Sequence, residues 1–302
     1  KWVKKPSRPP YCQKSYAQNI TWSRADYKTI GPADTTGATS ADGNSADYQN
    51  WLDTPVADRT PYVTQTPDVR VKSDSSNDQD RGAVGKYMEE DSFAPTPAYV
   101  AFPASRGTYH YSDRITNRFD AVEDAGGAYP GGFNGPFTHT TKAEMDLLKA
   151  EAILMKLNGN ASGFSGTKAD VVELINNTRV TDGEMQPATT SIPTGSIQDK
   201  PNPIISQGAT LWSMLKYEHR IETMHTSSGL NYFTNRGWGD MPEGTPLHFP
   251  VPGQELTTLG NEIYTFGGVG GPCSIGNASN CIGGSSGSGG SSSVTGTKAC
   301  KQ

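Results

Sequence analysis

Apolar residues recur at steps of four and three along residues 141–180, which predicts two helices. One apolar row of the first helix comprises Ala143, Leu147, Ala150, Leu154 and Leu157. A second row comprises Met145, Leu148, Ala152 and Met155. Thr141 and Glu144 have the spacing of a capping box, and Asn158-Gly159 supplies a helix stop. Two apolar rows predict that this helix has neighbours on two sides.

A second helix follows from Thr167, and a third is predicted from about Gln207 to His225. The buried side predicted for the second helix is Val171, Val172, Leu174 and Ile175. The apolar stripe of the third helix is Leu211, Met214, Leu215, Ile221 and Met224. An antiparallel pair packed on both sides is the unit of a helical repeat array. The predicted fold class is therefore mainly α, with TPR-like helical repeat pairs, long irregular loops and a few short strands.

Composition favours long loops around the helices. Only 33% of the 302 residues are hydrophobic, Gly (34) and Pro (21) approach a fifth of the chain, and mean hydropathy is -0.60. We predict a loop-rich N-terminal region (1–104) packed on the core, a helical region (105–266) and a Gly/Ser-rich tail (267–302).

Charge argues against nucleic-acid binding, and hydropathy argues against a membrane-spanning helix. The net charge is -5 and no basic run occurs beyond Lys4-Lys5, so the electrostatic attraction that drives nucleic-acid binding is missing. No segment approaches the roughly 20 apolar residues of a membrane-spanning helix.

Four cysteines in a chain rich in Ser, Thr, Asn and Gly suggest disulfides and an oxidising compartment. Cys273 and Cys281 bracket a short loop and are the favoured pair, which leaves Cys12 to pair with Cys300. Four free thiols are the alternative; the spacings fit no zinc motif.

Four segments resemble, in order, the C-terminal half of the SusD/RagB family of glycan- and nutrient-capturing proteins. They are SRGTYHYSDRITNRF (105–119), AEMDLLKAEAILMKLNGN (143–160), ADVVELINNTRV (169–180) and YEHRIETMHTSSGLNYFTNRGWGDM…LHFPVPGQEL (217–256). They are similar to the family's Arg-Gly-x-Tyr-x-x-Ser segment, its Ala-Glu-Ala helix, its Ile-Asn-x-x-Arg helix and its Glu-Arg-Arg-x-Glu helix with the aromatic segment that follows. Together they cover about half of the chain.

The chain also departs from that family. His219 replaces the first arginine of the Glu-Arg-Arg-x-Glu motif, and Thr234-Asn235 replaces an Asp-Leu pair in the aromatic segment. The family's N-terminal half does not appear in the sequence. The family's lipidated cysteine does not appear either, because Cys12 follows Pro9-Pro10-Tyr11, which is not a lipidation site.

The resemblance implies a non-enzymatic protein at the bacterial outer-membrane surface or in the extracellular space. Such a protein captures an oligosaccharide or polysaccharide and passes it to a TonB-dependent SusC-like transporter. A different class of function is an extracellular structural subunit, since a half-length helical array leaves an apolar edge that demands a partner such as another copy of the chain. That reading predicts a dimer or filament.

Catalytic motifs are largely absent from the sequence. It contains no Gly-x-Ser-x-Gly, His-Glu-x-x-His or Walker-type phosphate loop. One interpretation of Glu218, Arg220 and Glu222 is a catalytic acid/base pair. The favoured interpretation is an ion-pair network that ties the helix to its neighbour. His219 and His225 are six residues apart, which suits a zinc site poorly.

Aromatic residues in loop-like stretches are the predicted glycan contacts, because a flat ring stacks on the C–H face of a sugar. These candidates are Trp22, Trp51, Tyr62 and Tyr99. Packing over the helical core is an equally good account of each ring. Trp212 and Trp238 are predicted to be core residues.

No cofactor is required by any motif, although calcium is one alternative. Asp74, Ser76, Asp78 and Asp80 occupy alternate positions, as oxygen ligands do in a calcium loop. Gln79 stands where that loop needs glycine, and no glutamate follows at the twelfth position, so a solvated loop is favoured.

Four sites match the N-glycosylation pattern Asn-x-Ser/Thr, at Asn19, Asn160, Asn176 and Asn277. A bacterial source would usually leave them unmodified.

Overall fold

The computed structural model describes residues 24–35, 66–71, 85–90, 111–116, 118, 140–163, 165–226, 229–241 and 251–261. The chain divides into two compact units, Lys1–Asn231 and Tyr232–Gln302. The described part is mainly α, as the apolar periodicity predicts. The predicted boundaries at 104/105 and 266/267 stay predictions.

Three short strands form a small antiparallel sheet in the first unit. They are β1 (Arg24–Asp26), β2 (Met88–Glu90) and β3 (Tyr111–Thr116), in the order β1-β3-β2. Met88 pairs with Thr116, whereas the β1–β3 register shifts between Arg24 and Asp26. A one-turn helix, α1 (Tyr27–Ile30), follows β1 and continues into a 3-10 turn at Gly31–Ala33.

The helix predicted from Thr141 is α2 (Lys142–Leu157). The Thr141 side chain accepts a hydrogen bond from the Glu144 backbone N–H at 3.1 Å, which is one of the two hydrogen bonds of the predicted capping box. The helix ends in a Schellman turn, in which the Asn160 N–H donates to Met155 O and the Gly159 N–H to Lys156 O. Gly159 supplies the left-handed conformation that this turn requires, with φ of 76°.

Helix α3 (Lys168–Arg179) begins after Thr167, which forms a complete capping box with Asp170. It runs antiparallel to α2. Asn177, near its end, donates to the Asp146 carboxylate near the start of α2 at 3.2 Å. Gly166, just before its start, packs against Ile153 in the second half of α2.

The third predicted helix is α4 (Leu211–Glu222), preceded by a 3-10 turn at Ile205–Gln207. The 3-10 turn and the left-handed Gly208 delay the helix start to four residues after the predicted one. Like α3, α4 has a capping box, formed here by Thr210 and Ser213.

The direction of α4 follows from two contacts. Asn158, at the end of α2, donates to Gly195 O at 3.0 Å, and Gly195 packs against Thr210 at the start of α4. Thr178, at the end of α3, donates to Glu218 in the second half of α4 at 2.8 Å. Helix α4 therefore runs parallel to α3 and antiparallel to α2. Successive helices of a TPR array alternate in direction, so these three helices do not confirm TPR-like repeats.

Two apolar clusters hold the first unit together. The larger joins α2, α3 and α4 around Leu147, Leu154, Ile175, Leu215 and Trp212, all fully buried. The smaller joins α1, β2 and the second half of α4 through residues such as Ile30, Met88 and Ile221. The core position predicted for Trp212 is confirmed.

The second apolar row of α2 is not covered as its pattern predicts. Met145 is 57% exposed, and Leu148, Ala152 and Met155 are half-buried. One face of α2 therefore carries apolar surface in contact with water.

The second unit contains α6 (Gly253–Thr258), and α5 (Leu230–Trp238) precedes it in the chain. Trp238 and Leu256 are buried, which confirms the packed position predicted for Trp238. Phe233 is 64% exposed, and Tyr232 contacts its ring edge to face with centroids 5.4 Å apart.

Candidate functional site

The densest group of charged side chains in the described part of the chain is buried beside α4. It comprises Asp68, Arg70, Arg118, Glu218 and Glu222, and we call it the Arg70 cluster. Arg70, Asp68 and both glutamates are completely buried, and Arg118 is largely so.

Helix α4 positions the two glutamates. All of its residues are buried, so it has no solvent-facing side on which carboxylates would lie in water. Glu218 and Glu222 are one turn apart and both contact the Arg70 guanidinium. Burying two like charges on one face requires a buried cation opposite them.

A tight turn at residues 66–71 supplies that cation. Thr66 Oγ1 accepts a hydrogen bond from the Asp68 N–H at 3.2 Å, and the Asp68 carboxylate accepts from the Arg70 N–H at 2.9 Å. The Val71 N–H closes the turn on Asp68 O at 3.0 Å. These local bonds to Thr and Asp side chains fix the backbone from which Arg70 projects.

All three guanidinium nitrogens of Arg70 donate hydrogen bonds to carboxylates. Nε and Nη2 donate to the two oxygens of Asp68 at 2.9 and 2.7 Å. Nη1 and Nη2 donate to the two oxygens of Glu218 at 2.5 and 3.0 Å, and Nη1 also donates to Glu222 at 3.0 Å. These fork-like contacts are the charge-assisted bonds for which arginine is suited and lysine is not.

Glu222 has a second cationic partner. Arg118 Nη2 lies 2.8 Å from Glu222 Oε2, and Nη1 donates to the Glu222 backbone carbonyl at 3.1 Å. The Arg118 guanidinium also stacks over the Tyr87 ring at 3.9 Å from its centroid. The segment after β3 is thereby joined to the end of α4.

Hydroxyl groups bind the remaining carboxylate oxygens. Tyr217 donates to Asp68 Oδ2 at 2.7 Å, and Thr178 donates to Glu218 Oε2 at 2.8 Å. Burial and the negative Asp68 raise the pKa of Tyr217 well above its ordinary value, so the phenol stays a donor. Burial also raises the pKa of Glu218, and the neighbouring Arg70 opposes that rise.

The main chain approaches the cluster closely at Gly183. The Val69 N–H donates to Gly183 O at 3.2 Å. A Cβ at Gly183 would lie 2.9 Å from both Arg179 O and Arg70 Nη2. Only glycine leaves the guanidinium enough space at this position.

The Arg70 cluster is a structural ion-pair network in this arrangement, because its carboxylates are bound to arginine and hydroxyl groups and are shielded from water. The ion-pair interpretation of Glu218 and Glu222 is therefore confirmed. The arginine partners of these two glutamates, Arg70 and Arg118, were not predicted from the sequence. The only local signal was the Thr66-Pro67-Asp68 turn chemistry, which does not identify a partner 148 residues away.

The two α4-region histidines are neutral. Burial lowers the pKa of His219 and of His225 to about 4 in each case. His225 stands just after α4 in a left-handed conformation, with φ of 62°. Among the described ranges, no group of three or more His, Cys, Asp or Glu side chains is arranged to hold a metal ion.

The residues predicted from the sequence to bind ligand or form disulfides lie outside the described residues. They are Trp22, Trp51, Tyr62 and Tyr99 for glycan, Asp74, Asp78 and Asp80 for calcium, and Cys12, Cys273, Cys281 and Cys300 for disulfides. Each of these assignments stays a prediction.

Comparisons with known proteins identify no relative: no family model, curated protein or solved structure matches the chain. Within the part of the chain that the structure describes, no helix is both long and apolar enough to span a bilayer.

Proposed function

We propose that the protein is a non-enzymatic binding protein of the SusD/RagB type at a bacterial cell surface. It captures oligosaccharides or polysaccharides and delivers them to a TonB-dependent SusC-like transporter in the outer membrane. The observation that carries the proposal is the setting of residues 217–222, which resemble the family's Glu-Arg-Arg-x-Glu motif. This segment is wholly buried and both of its glutamates bind Arg70. A charged motif that is buried and ion-paired stabilises the fold, and the proposed ligand contacts are therefore in the loops.

The proposed mechanism is equilibrium binding by a preformed surface without a covalent step. The aromatic side chains Trp22, Trp51, Tyr62 and Tyr99 stack on sugar rings, and neighbouring amides and carboxylates bind the hydroxyl groups. As part of the same proposal, the antiparallel α2–α3 pair is one TPR-like unit of the scaffold.

The test is binding to a glycan array followed by titration of any polysaccharide that binds. One stacking contact contributes about 0.5–1.5 kcal/mol, so Trp51→Ala or Tyr62→Ala should weaken binding roughly twofold to tenfold. Phe233→Ala is the matched control, because it removes an exposed ring that is not among the proposed contacts. Equal loss in all three variants, or no binding to any glycan, contradicts the proposal.

A second candidate function is an extracellular structural subunit that assembles into a dimer or filament. The exposure of Met145, in an apolar row whose other members are half-buried, favours this candidate because such surface is usually covered by a partner. Sedimentation of the purified protein over a concentration series distinguishes the two functions. Concentration-dependent polymers without glycan binding support assembly.

A further inference from the structure

Helix α2 has two apolar faces, and the first unit covers only one of them. The covered face contains Leu147, Ala150 and Leu154, which are fully buried. On the other face Met145 is 57% exposed, and the remaining apolar residues are half-buried. One of these, Met155, also packs against the larger apolar cluster. We call this second row the α2 seam, and it comprises Met145, Leu148, Ala152 and Met155.

The α2 seam has the spacing of two heptads of a coiled coil. Its members follow one another at steps of three, four and three, as the a and d positions of a heptad do. The a positions are Met145 and Ala152, and the d positions are Leu148 and Met155. The apolar residues that α2 buries in its own unit fall at the b, c and f positions, on the opposite side of the helix. A second helix can therefore pack on the seam while the first unit stays intact.

Charged residues border the α2 seam on both sides, and the two borders have opposite signs. The e positions are Lys149 and Lys156, and the g positions are Glu144 and Glu151. Glu144 is buried, so Glu151 is the more accessible of the two acids. Charges at the e and g positions determine which helix pairs with a seam and in which direction.

The arrangement of these charges favours one direction of pairing between two copies of α2. In a parallel pair, the g position of one helix faces the following e position of the other, which brings Glu151 of each copy to Lys156 of the other copy. In an antiparallel pair, e faces e and g faces g, so lysine would face lysine and glutamate would face glutamate. Such like-charge contacts are repulsive.

We propose that the α2 seam binds the α2 seam of a second copy of the chain, in a parallel dimer with two-fold symmetry. The two-fold axis forms the pair between Glu151 and Lys156 twice. Because both copies use the same face, the assembly closes at two chains and does not grow into a filament. The inference rests on the second candidate function, the structural subunit, and specifies its partner.

The expected dimer is weak. Four apolar side chains on a helix of 16 residues bury much less than the roughly 800 Å² per partner of a standard interface. Helix α2 is already folded within the first unit, so association does not include the cost of helix formation that makes short isolated helices unstable. We therefore expect a dimer that forms at high protein concentration and dissociates on dilution.

Charge reversal tests the parallel alignment, with the full chain followed by sedimentation over a concentration series. Glu151→Lys and Lys156→Glu each place like charges opposite one another twice, and each should weaken the dimer roughly fivefold to thirtyfold. An equal mixture of the two variants should associate again, because each lysine then meets a glutamate. The double variant should do so as well. Single reversals that leave association unchanged would show that the parallel pairing is wrong.

Two substitutions of Met145 test the seam itself. Met145→Lys places two charges in the seam and should abolish association. Leu259→Lys is the matched control, because it replaces a side chain of the second unit that is 63% exposed. Met145→Cys should form a disulfide between copies on mild oxidation, since facing a positions lie close to the two-fold axis. Trypsin cleaves after Lys142 and Lys149, so mass spectrometry detects this link as peptide 143–149 joined to itself, apart from the native cysteines.

Circular dichroism checks that each variant is folded. Association that persists in Met145→Lys would overturn the inference and leave the structural-subunit function standing. Oxidised Met145→Cys that associates without the 143–149 link would do the same. A wild-type chain that stays monomeric at every concentration would overturn both.

Discussion

Truncation of Arg70 to alanine is the most direct test of how the first unit is stabilised. The substitution removes six N–H···O contacts of 2.5–3.1 Å to three buried carboxylates. Asp68 and Glu218 would then keep only hydroxyl and backbone donors at positions that are completely buried. Breaking a buried ion pair by removing one partner costs about 3–5 kcal/mol. We therefore expect Arg70→Ala to lose that much unfolding free energy.

The assay is thermal and denaturant unfolding followed by circular dichroism. For a unit of this size the loss corresponds to a fall of roughly 6–20 °C in the unfolding midpoint. Lys86→Ala is the matched control, because it removes an exposed salt bridge of 2.6 Å to Asp182 beside the same turn. A surface pair of this kind contributes at most about 1 kcal/mol.

A double-mutant cycle with Glu218→Gln then isolates the pair from the general cost of truncation. Because Gln removes the charge that Arg70 compensates, the double variant should be more stable than the sum of the single losses predicts. A loss for Arg70→Ala no larger than that for the Lys86 control, or full additivity in the cycle, would refute the reasoning.

Three further outcomes are expected. Burial lowers the pKa of His219 and of His225 from 6.5 to about 4, so as the pH falls these side chains bind protons in the unfolded chain before they do in the folded chain. Stability is therefore fully present above pH 6.5 and falls toward pH 4. The loss at pH 5 is about 2 kcal/mol for each histidine. His225→Asn, which tolerates the left-handed backbone, should halve this pH dependence in unfolding titrations, and an unchanged slope would contradict the assignment. Gly183→Ala should destabilise the protein by about 1–3 kcal/mol, because the added methyl group crowds the Arg70 guanidinium. Gly237→Ala lies in a helix with open space around it and should stabilise by up to about 1 kcal/mol. Equal effects of the two substitutions would contradict the crowding argument. Thr210→Ala should cost about 1 kcal/mol in denaturant titrations by removing the cap of α4, with Thr210→Ser as the neutral control.

The helices were predictable because their signals are local. The Thr141 cap lies where the sequence predicts it, the second helix begins after Thr167 as predicted, and the Asn158-Gly159 stop is where α2 ends. Both signals involve residues three to five positions apart, so a short stretch of sequence contains each complete interaction. The start of α4 was misplaced because Gly208 ends a 3-10 turn that interrupts the apolar pattern.

The candidate site was predictable only in part, because its contacts are distant in sequence. Glu218 and Glu222 within an apolar stripe indicated a buried ion pair, but nothing near them identifies Arg70 or Arg118. The second apolar row of α2 shows the opposite error, because it was predicted to be covered, yet Met145 is exposed and the other members are only half-buried. Apolar periodicity reports which positions are apolar, and it does not establish that a neighbour covers them.

The sequence distance spanned by the Arg70 cluster has a consequence for the order of folding. Arg70 and Glu218 are 148 residues apart, so their contact closes a very long loop, whereas α2 and α3 meet through a short connection. Loop-closure entropy is lost before a distant contact contributes energy, which makes such contacts slow to form. Helices α2 and α3 should pair early, and docking of the Arg70 turn should complete the first unit late. Substitutions at Arg70 should accordingly accelerate unfolding and leave the refolding rate nearly unchanged.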